Sequence, residues 1–431
     1  MGLNILYAVH AYKPAYRVGG PILSVAALAE GMAARGHRVV VFTTNSNLTE
    51  ALDVATDLPT LVDNVEVWYF RKAVPFEPMF SRFDYFSKSM GYLYTPGLSS
   101  VLKRVIPSFD VVHVHLPFVY PCHRTAWSAI RARRPLFYHQ RGVFDPERLK
   151  FRSLKKSACI LALDRPIMRR AAMLFALTEA ERQSYRRLGV QTPCRVIPNG
   201  IHVQQYRQVP TSQTCSRWGI RDDDLVILYL SRLHPIKGAD VVLEAFLRIG
   251  REFPKLRLVM AGPDEWGLER DFRQRGAAAG LSDRLVFPGL VTGEEKLELL
   301  ARADLFCLPS VGEGFSMAVL EALASATPVM LSPGCNFPEV AARGAGWIAS
   351  RDAESWSRAM TDVLREPGHL RMAGLAGLRL VKEEYTWRRA LDQTERAYYD
   401  VLEERRSGAP RIFDAGASPD VIGRPVKGHA R

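Results

Sequence analysis

Short runs of apolar and β-branched residues alternate along the chain with longer stretches whose apolar residues recur at helical spacing. This alternation is typical of a doubly wound α/β fold, in which helices connect the parallel strands of a sheet. In the first half of the chain the pattern predicts strands at 4–10, 38–44, 65–70, 110–115, 135–140, 172–178 and 194–198.

The same alternation starts again at Asp224, beyond a turn-forming cluster at 198–201 that predicts a linker. In this second series the pattern predicts strands at 225–231, 256–261, 284–288, 305–309 and 328–332, and helices near 238–250, 294–303, 315–325 and 353–365. Two similar α/β units are therefore expected.

These two series divide the chain into four parts. We predict Rossmann-like domains at 1–200 and 201–386, a helix at 387–406 that packs back toward the first domain, and a mobile tail at 407–431. The tail lacks the periodic apolar residues that would order it. Because open α/β sheets bind ligands beyond the carboxyl ends of their strands, functional residues are expected in those loops, facing each other across a cleft.

Composition narrows the class of protein. With 431 residues, 47% hydrophobic and 24% charged, the chain has room for two or three domains and an ordinary soluble composition. No apolar run approaches the roughly 18 to 20 residues that span a bilayer, and the chain opens on a strand pattern, so neither a membrane span nor a signal peptide is expected. The six cysteines are scattered, which favours reduced thiols in a cytoplasmic protein.

The net charge of +13 is concentrated in one quarter of the chain. Residues 101–200 contain 19 basic and 6 acidic residues, whereas the two signs balance elsewhere, which predicts an anionic partner. Within 131–170, apolar residues such as Ile160, Leu161, Ile167 and Met168 interleave with the basic ones. The pattern fits a helix on an anionic membrane surface, at the inner face of the plasma membrane, or an ordinary helix of the domain core with a solvated basic face.

The segment after strand 305–309 carries the strongest chemical signal. Glu313 lies in a glycine-flanked turn at the carboxyl end of that strand, and a helix is predicted to begin near Phe315. The free N–H groups at the start of such a helix favour an anionic ligand. Glu321 lies at most about 12 Å further along the helix axis, so the two carboxylates can hold a sugar and a ribose of one extended ligand. Either carboxylate alone would equally fit a turn-forming or solvated residue.

A pair of cations follows another predicted strand of the same domain. Arg232 offers a planar fork of donors, Lys237 offers a compact positive charge, and Gly238 lets the backbone turn into the next helix. Two cations at the end of a strand suit a diphosphate, although each alone would be an ordinary surface charge.

Weaker signals come from the first domain. Gly19 and Gly20 follow the first strand and permit close approach of a ligand, but they do not complete a GxGxxG motif. His113 and His115 share one face of a strand, where two zinc ligands could sit. No third ligand stands at a useful spacing, which favours buried, hydrogen-bonded histidines. Arg141, at the end of the next strand, is the better candidate for binding a ligand.

These motifs resemble those of the retaining family-4 glycosyltransferases with the GT-B fold, the glycosyl transferases group 1. The resemblance extends to about residue 406 and rests on the early Gly-Gly-Pro, the Asp-Val-Val-His-Val-His strand, the Asn-Gly-Ile turn, Ser-Arg-Leu with Lys-Gly, and two glutamates separated by seven residues. It implies a hexosyltransferase that moves a sugar from a UDP- or GDP-sugar to a glycan or lipid-linked glycan in cell-surface or exopolysaccharide biosynthesis. We expect no cofactor and no nucleic-acid partner.

The resemblance also implies roles for individual residues. Arg232 and Lys237 would bind the donor diphosphate, Glu313 the donor sugar and Glu321 the ribose; the first three are the expected catalytic residues. The other implied donor-binding positions are Gly19 and Gly20 near the diphosphate, the backbone of Gly314, Phe315 and Ser316, Leu290 and Val291 near the base, and Arg141. Many relatives have histidine where this chain has Arg141, and His139 is only a weak substitute.

The implied mechanism is front-face displacement, in which the leaving phosphate itself deprotonates the acceptor hydroxyl. Arg232, Lys237 and a helix amino terminus would then stabilise the charge on the diphosphate, where many other nucleotide-sugar enzymes use a divalent metal. The chain is not expected to contain a DxD aspartate triad, and we therefore expect catalysis without a metal.

Two alternatives explain part of the pattern. Another GT-B enzyme, such as a glycogen-type synthase or a non-hydrolysing UDP-sugar epimerase, would share the fold and the donor site. A non-enzymatic nucleic-acid-binding protein would explain the basic quarter of the chain. It would not explain the carboxylate pair, and the chain lacks the aromatic-basic motif by which such proteins recognise nucleic acid.

Overall fold

The computed structural model of the protein describes residues 2–16, 20–47, 50–73, 93–145, 157–206 and 214–407. The strands are β1 (Asn4–Ala8), β2 (Arg38–Thr44), β3 (Ser46–Asn47), β4 (Glu50–Ala51), β5 (Pro59–Val62), β6 (Val65–Phe70), β7 (Val111–His115), β8 (Leu136–His139), β9 (Met173–Ala176), β10 (Cys194–Val196), β11 (Leu225–Leu230), β12 (Leu256–Ala261), β13 (Leu285–Gly289), β14 (Leu305–Leu308), β15 (Val329–Leu331) and β16 (Gly346–Ile348). The helices are α1 (Gly20–Ala34), α2 (Leu98–Val105), α3 (Tyr120–Arg131), α4 (Arg165–Arg170), α5 (Glu179–Arg187), α6 (Thr214–Arg217), α7 (Ala239–Ile249), α8 (Leu268–Ala278), α9 (Gly293–Arg302), α10 (Met317–Ala324), α11 (Glu339–Ala342), α12 (Ala353–Leu364), α13 (Pro367–Glu384) and α14 (Trp387–Ser407).

The first half of the chain builds an eight-stranded sheet in the order β10-β9-β8-β7-β1-β2-β6-β5. Its strands pair in parallel except at the edge, where β5 pairs antiparallel with β6. Strands such as β7 and β8 are buried along their whole length, because helices cover both faces of the sheet. Since β1 lies between β2 and β7, the order of the strands reverses there, and ligands of open α/β sheets bind at such switch points.

The second half builds a six-stranded parallel sheet in the order β13-β12-β11-β14-β15-β16. Its switch point lies at β11, which pairs with β12 on one side and β14 on the other. The predicted α/β architecture with two Rossmann-like sheets is confirmed. The pattern did not predict β5, which alternates between exposed and half-buried residues, or β16, which is only three residues long.

The last helix, α14, packs against the core of the first sheet although it follows the second. Trp387, Leu391 and Tyr398 belong to the same buried cluster as β1 and α1. The chain thus crosses between the two halves twice, and the crossings lie side by side, since Ile201 donates its N–H to the carbonyl of Tyr385 at 2.9 Å. The tail that was predicted to be mobile extends beyond Ser407, and that part of it lies outside the described residues.

The apolar residues of the basic quarter were open to two interpretations: they could face a membrane, or they could belong to the domain core. Ile160, Ile167 and Met168 are buried in a core of the first sheet, so these three are domain-core residues and do not face a membrane. Leu161 is 54% exposed. Lys155 and Lys156 lie outside the described residues.

In the described segments no helix has both the length and the apolar content needed to cross a bilayer. The six cysteines all lie in these segments as free thiols, and four of them are buried.

Candidate active site

The loops that follow β11 and β14 meet because these strands are neighbours in the sheet. Gly238 has a left-handed φ of 71°, and a Cβ at this position would lie 2.3 Å from the carbonyl oxygen of Pro309, so the close approach of the two loops requires glycine. Arg351 fixes both loops, since its guanidinium donates to the carbonyls of Pro309 at 2.9 Å and Pro235 at 2.8 Å.

Lys237 and Glu313 form an ion pair at this junction. The Nζ of Lys237 lies 2.5 Å from Oε1 of Glu313, and their side chains are only 13% and 5% exposed. The backbone of Glu313 is fixed as well, because its N–H donates to the carbonyl of Gly334 and its carbonyl accepts from Nδ2 of Asn336 at 2.7 Å. The structure therefore places the predicted sugar-binding carboxylate one hydrogen bond from the predicted phosphate-binding ammonium.

Arg232 lies on the same loop but is 51% exposed, and its guanidinium pairs with Glu265 at 2.8 Å. Exposed pairs of this kind contribute little to stability, so an anionic ligand can replace Glu265 at low cost. Burial, with Arg232 nearby, lowers the pKa of His234, so this imidazole is neutral at neutral pH. Its Nδ1 accepts the N–H of Ile236 at 3.0 Å and holds the turn that carries Lys237.

Helix α10 begins at Met317, two residues later than expected, because Ser316 is extended and its hydroxyl accepts the N–H of Val319 as a cap. Gly314, Phe315 and Ser316 therefore form the approach to the helix. The ring of Phe315 packs against Phe337 and Tyr385, which fixes this approach to the helix.

Glu321 lies further along α10 and is 15% exposed. Its carboxylate binds Lys296 and the hydroxyl of Tyr206. Of the residues implied near the base, Leu290 is 69% exposed, whereas the side chain of Val291 belongs to the core at 5%. Of these two side chains, that of Leu290 is therefore the one accessible to a ligand.

Arg141 follows β8 at the carboxyl edge of the first sheet and is 7% exposed. Its guanidinium donates to Nδ1 of His115 at 3.2 Å, to Oγ of Ser24 at 2.9 Å and to Oδ1 of Asn199 at 3.2 Å. Burial lowers its pKa to about 10, while the nearby Glu181 opposes this shift, so Arg141 stays charged at neutral pH. Among the described residues no carboxylate forms an ion pair with it.

A third histidine joins the predicted pair. Contrary to expectation, His139 of the neighbouring strand brings three imidazoles together, with one nitrogen of each within 4.8 Å of the others. Burial lowers the pKa of all three well below its usual value, so they are neutral. Because Nδ1 of His115 accepts from Arg141, its proton lies on Nε2, and that nitrogen cannot bind a metal in this arrangement. Of this cluster, His115 hydrogen-bonds Arg141, whereas His113 pairs with the hydroxyl of Tyr398.

The two halves touch where their glycine loops meet. A Cβ on Gly142 would lie 2.4 Å from Cα of Gly314, and one on Gly312 would lie 2.4 Å from Oδ1 of Asp145. The loop that contains Arg141 thus rests directly on the loop that contains Glu313. Gly20 begins α1 with open space around it, whereas Gly19 lies outside the described residues.

Comparison with known proteins identifies the family. Models of Glycosyltransferase Family 4 and of Glycosyl transferases group 1 match residues 18–205 and 213–377, respectively. HepE of Anabaena, solved with UDP and glucose, superposes with a TM-score of 0.69 at 18% identity over 92% of this chain and 100% of that chain. The chain belongs to the family-4 glycosyltransferases with the GT-B fold.

Sequence relatives of this glycosyltransferase carry one recurring name. The D-inositol 3-phosphate glycosyltransferase of Saccharomonospora viridis is 26% identical over 411 residues, which cover 91% of this chain and 92% of the relative. The same-named protein of Geodermatophilus obscurus is 29% identical over 240 residues, about half of each chain. Among structures, the sucrose-phosphate synthase of Thermosynechococcus elongatus has a TM-score of 0.69 at 19% identity over 93% of this chain and 99% of that one.

Contrary to expectation, the chain does contain an aspartate triad of the DxD form, at Asp222–Asp224. The triad precedes β11 and so lies at the amino edge of the sheet, opposite the site. Asp223 pairs with Lys255 at 2.8 Å, and Asp224 binds Arg257. Two of its three aspartates thus form ion pairs, one exposed and one largely buried, at the edge of the sheet opposite the candidate site.

Sequence reasoning missed the residues that hold the site together. Arg351 and Lys296 are polar residues of a loop and a helix surface, and their spacing along the chain gives no sign of their partners. Asn199 belongs to the Asn-Gly-Ile turn, but that motif did not indicate its hydrogen bond with Arg141. Gln140 alone stood next to a predicted site residue. It is fully buried, and its side-chain amide binds the carbonyl of Glu181 and the N–H of Phe144, which shapes the loop around Arg141.

We expect Gly142→Ala to lower the kcat of this glycosyltransferase at least about tenfold, because the new methyl group would push the two loops apart. Gly280→Ala is the matched control, since Gly280 has a similar left-handed φ of 72° but open space around it. Both variants bear the same backbone strain of about 1 kcal/mol or more. Equal activity of the two variants would contradict a functional contact between the loops.

Proposed function

We propose that this protein is a retaining, metal-independent hexosyltransferase that uses a UDP-sugar and extends a glycan or lipid-linked glycan in cell-surface or exopolysaccharide biosynthesis. The donor would bind to the second domain, residues 201–386, and the acceptor to the first, residues 1–200. The observation that carries the proposal is the pair of Lys237 and Glu313, which lies at the sheet edge directly opposite the loop of Arg141.

The charges of the site support the proposed donor. Lys237, Arg232 and the start of α10 supply positive charge on one side, where a diphosphate needs it. Glu313 and Glu321 supply acceptors for hydroxyl groups on either side of that charge. A uridine nucleotide is favoured over the guanosine alternative because the Anabaena structure contains UDP in one crystal and UDP-glucose in another.

Retention follows from front-face displacement. The bond between the anomeric carbon and the phosphate oxygen breaks, the acceptor oxygen bonds to the same face of the sugar, and its proton moves to the leaving phosphate. Glu313 would orient the sugar hydroxyls, since one of its oxygens is already engaged by Lys237 at 2.5 Å. Lys237 and Arg232 would stabilise the charge on the leaving diphosphate.

Arg141 favours a second candidate acceptor, a small phosphorylated alcohol such as the inositol 3-phosphate that the relatives' names contain. Arg141 is a nearly buried cation that three neutral groups hold in place, without an ion-pair partner in the part of the chain that the structure describes. A phosphate on the acceptor would complete its coordination.

Two assays in sequence test the function. A thermal-shift panel of UDP-, GDP- and ADP-sugars identifies the donor, because a ligand that binds only the folded state stabilises it by roughly 2.7 kcal/mol at a hundredfold excess over Kd. Product analysis with lipid-linked glycans and inositol 3-phosphate then identifies the acceptor and the anomeric configuration. Epimerised donor without transfer, or an inverted product, would refute the proposal.

Transfer should continue in EDTA, since protein cations are proposed to stabilise the diphosphate. The expected result is unchanged kcat after chelation and no gain on adding Mg²⁺ or Mn²⁺. Loss of activity with EDTA and recovery with either cation would contradict this mechanism.

We also propose that the basic quarter binds an anionic membrane weakly. In the described residues, Arg169 and Arg170 are exposed, and Leu161 of the same segment is exposed as well. Each cation near such a surface contributes roughly 1 kcal/mol, so a few suffice for reversible docking. Co-sedimentation with phosphatidylglycerol vesicles at low salt should exceed that with neutral vesicles and fall in Lys155→Glu/Lys156→Glu, but not in the control Lys255→Glu/Arg358→Glu. Equal binding to both kinds of vesicle would refute docking by charge.

A further inference from the structure

Two side chains from distant parts of the chain hold the carboxylate of Glu321. Lys296 of α9 places its Nζ 2.8 Å from Oε1, and the lysine and glutamate side chains are only 27% and 15% exposed. The hydroxyl of Tyr206, from the turn after the first crossing, binds the same carboxylate. Burial, together with this carboxylate, raises the pKa of Tyr206, so the hydroxyl stays protonated and can donate a hydrogen bond to Glu321.

The two donors leave part of the carboxylate unoccupied. An ionised carboxylate has about four lone-pair sites on its two oxygens, and Lys296 and Tyr206 take one each. Because the donors come from different elements, they restrict rotation of the carboxylate and fix its plane. The remaining sites can accept hydrogen bonds from the two neighbouring hydroxyl groups of a ribose.

We propose that Lys296 is a positioning residue that sets the orientation of Glu321 and thereby selects a ribonucleotide donor over a deoxyribonucleotide. The inference rests on the proposed function, in which Glu321 receives the ribose. Lys296 itself does not touch the nucleotide in this arrangement; it acts through Glu321.

Charge gives Lys296 a larger role than Tyr206. An uncompensated carboxylate near a diphosphate would repel it, and the ammonium group of Lys296 offsets that charge at a distance of one hydrogen bond. The tyrosine hydroxyl is neutral and orients the carboxylate without offsetting its charge. Loss of Lys296 should therefore weaken both nucleotides through repulsion of their shared diphosphate. Because the carboxylate would also be free to rotate away from the ribose hydroxyls, UDP should lose more affinity than 2′-deoxy-UDP, and more than after loss of the Tyr206 hydroxyl.

The test compares the affinities of UDP and 2′-deoxy-UDP, measured by calorimetry on the full chain. Wild type should prefer UDP by about tenfold or more, the equivalent of one hydrogen bond to a charged group. Lys296→Met should lose most of this preference, Tyr206→Phe a smaller part, and Lys296→Arg should retain much of it. Lys255→Met is the matched control, because Lys255 forms a lysine–carboxylate pair of the same length at the opposite edge of the sheet.

The outcomes separate this inference from the proposed function. If wild type binds both nucleotides equally, or if Glu321→Gln keeps the preference, the ribose role of Glu321 fails and the inference fails with it. If Glu321→Gln loses the preference but Lys296→Met keeps it, only the role of Lys296 is wrong. A purely structural effect of Lys296→Met would weaken both nucleotides by the same factor, and this result would also overturn the inference.

Discussion

Glu313→Ala is expected to lower kcat by about 10³-fold or more and so to abolish measurable transfer while the chain still folds. The carboxylate lies at the junction of the two halves, 5% exposed and 2.5 Å from the ammonium group of Lys237. Its removal deletes the acceptor proposed for the donor sugar and leaves a nearly buried cation without its partner. The free energy of unfolding should fall by up to about 3 kcal/mol, less than the usual stability of a domain.

Two further variants separate chemistry from folding. Glu313→Gln keeps the shape of the side chain and lets Lys237 donate to an amide oxygen, so stability should recover while kcat stays low. Glu354→Ala removes the partner of Arg358 in an exposed pair of the same domain and should leave both quantities unchanged. Steady-state kinetics and thermal unfolding measure the set, and a Glu313→Ala enzyme with normal turnover would disprove the proposed role.

Glu321→Ala should act differently, because its carboxylate is proposed to hold the ribose, which does not change during the reaction. The expected result is weaker nucleotide binding with little change in kcat, as for any group that binds ground state and transition state equally. A fall in kcat at saturating donor would contradict this division between the two glutamates.

Much of the fold follows from local patterns. The strands β11, β12 and β14 are continuous apolar runs, so the pattern predicts them within a residue or two, and the loops that follow contain Arg232 and Glu313. Since the carboxyl ends of parallel strands share one edge of a sheet, the sequence also predicts that these loops lie on the same side.

The order of the strands and the supporting contacts could not be predicted this way. Nothing local indicates that β11 and β14 are neighbours, although this pairing brings Lys237 to Glu313. Lys296 follows two glutamates on α9 and has the appearance of a solvated residue. His139 escaped notice as the third imidazole because it lies on a separate strand, whose pairing with β7 depends on the whole sheet.

Arg232→Ala and Lys237→Ala are each expected to lose about 3 kcal/mol of transition-state stabilisation, or about 150-fold in kcat, comparable to the loss of one donor in an oxyanion hole. The charge on the diphosphate grows as the glycosidic bond breaks, so a cation beside it stabilises the transition state more than the bound donor. The losses should therefore appear chiefly in turnover and only slightly in donor KM.

The two variants should differ in stability, because the pairs that they break differ in burial. Arg232 and Glu265 are 51% and 41% exposed, so Arg232→Ala should leave the free energy of unfolding almost unchanged. Lys237→Ala removes one partner of the nearly buried Glu313 and should lower the melting temperature. Glu265→Gln provides the matched test: it frees Arg232 from its only charged partner in the described part of the chain and should tighten donor binding. Wild-type turnover in Arg232→Ala or Lys237→Ala, with a change confined to acceptor affinity, would show that these cations do not act on the diphosphate.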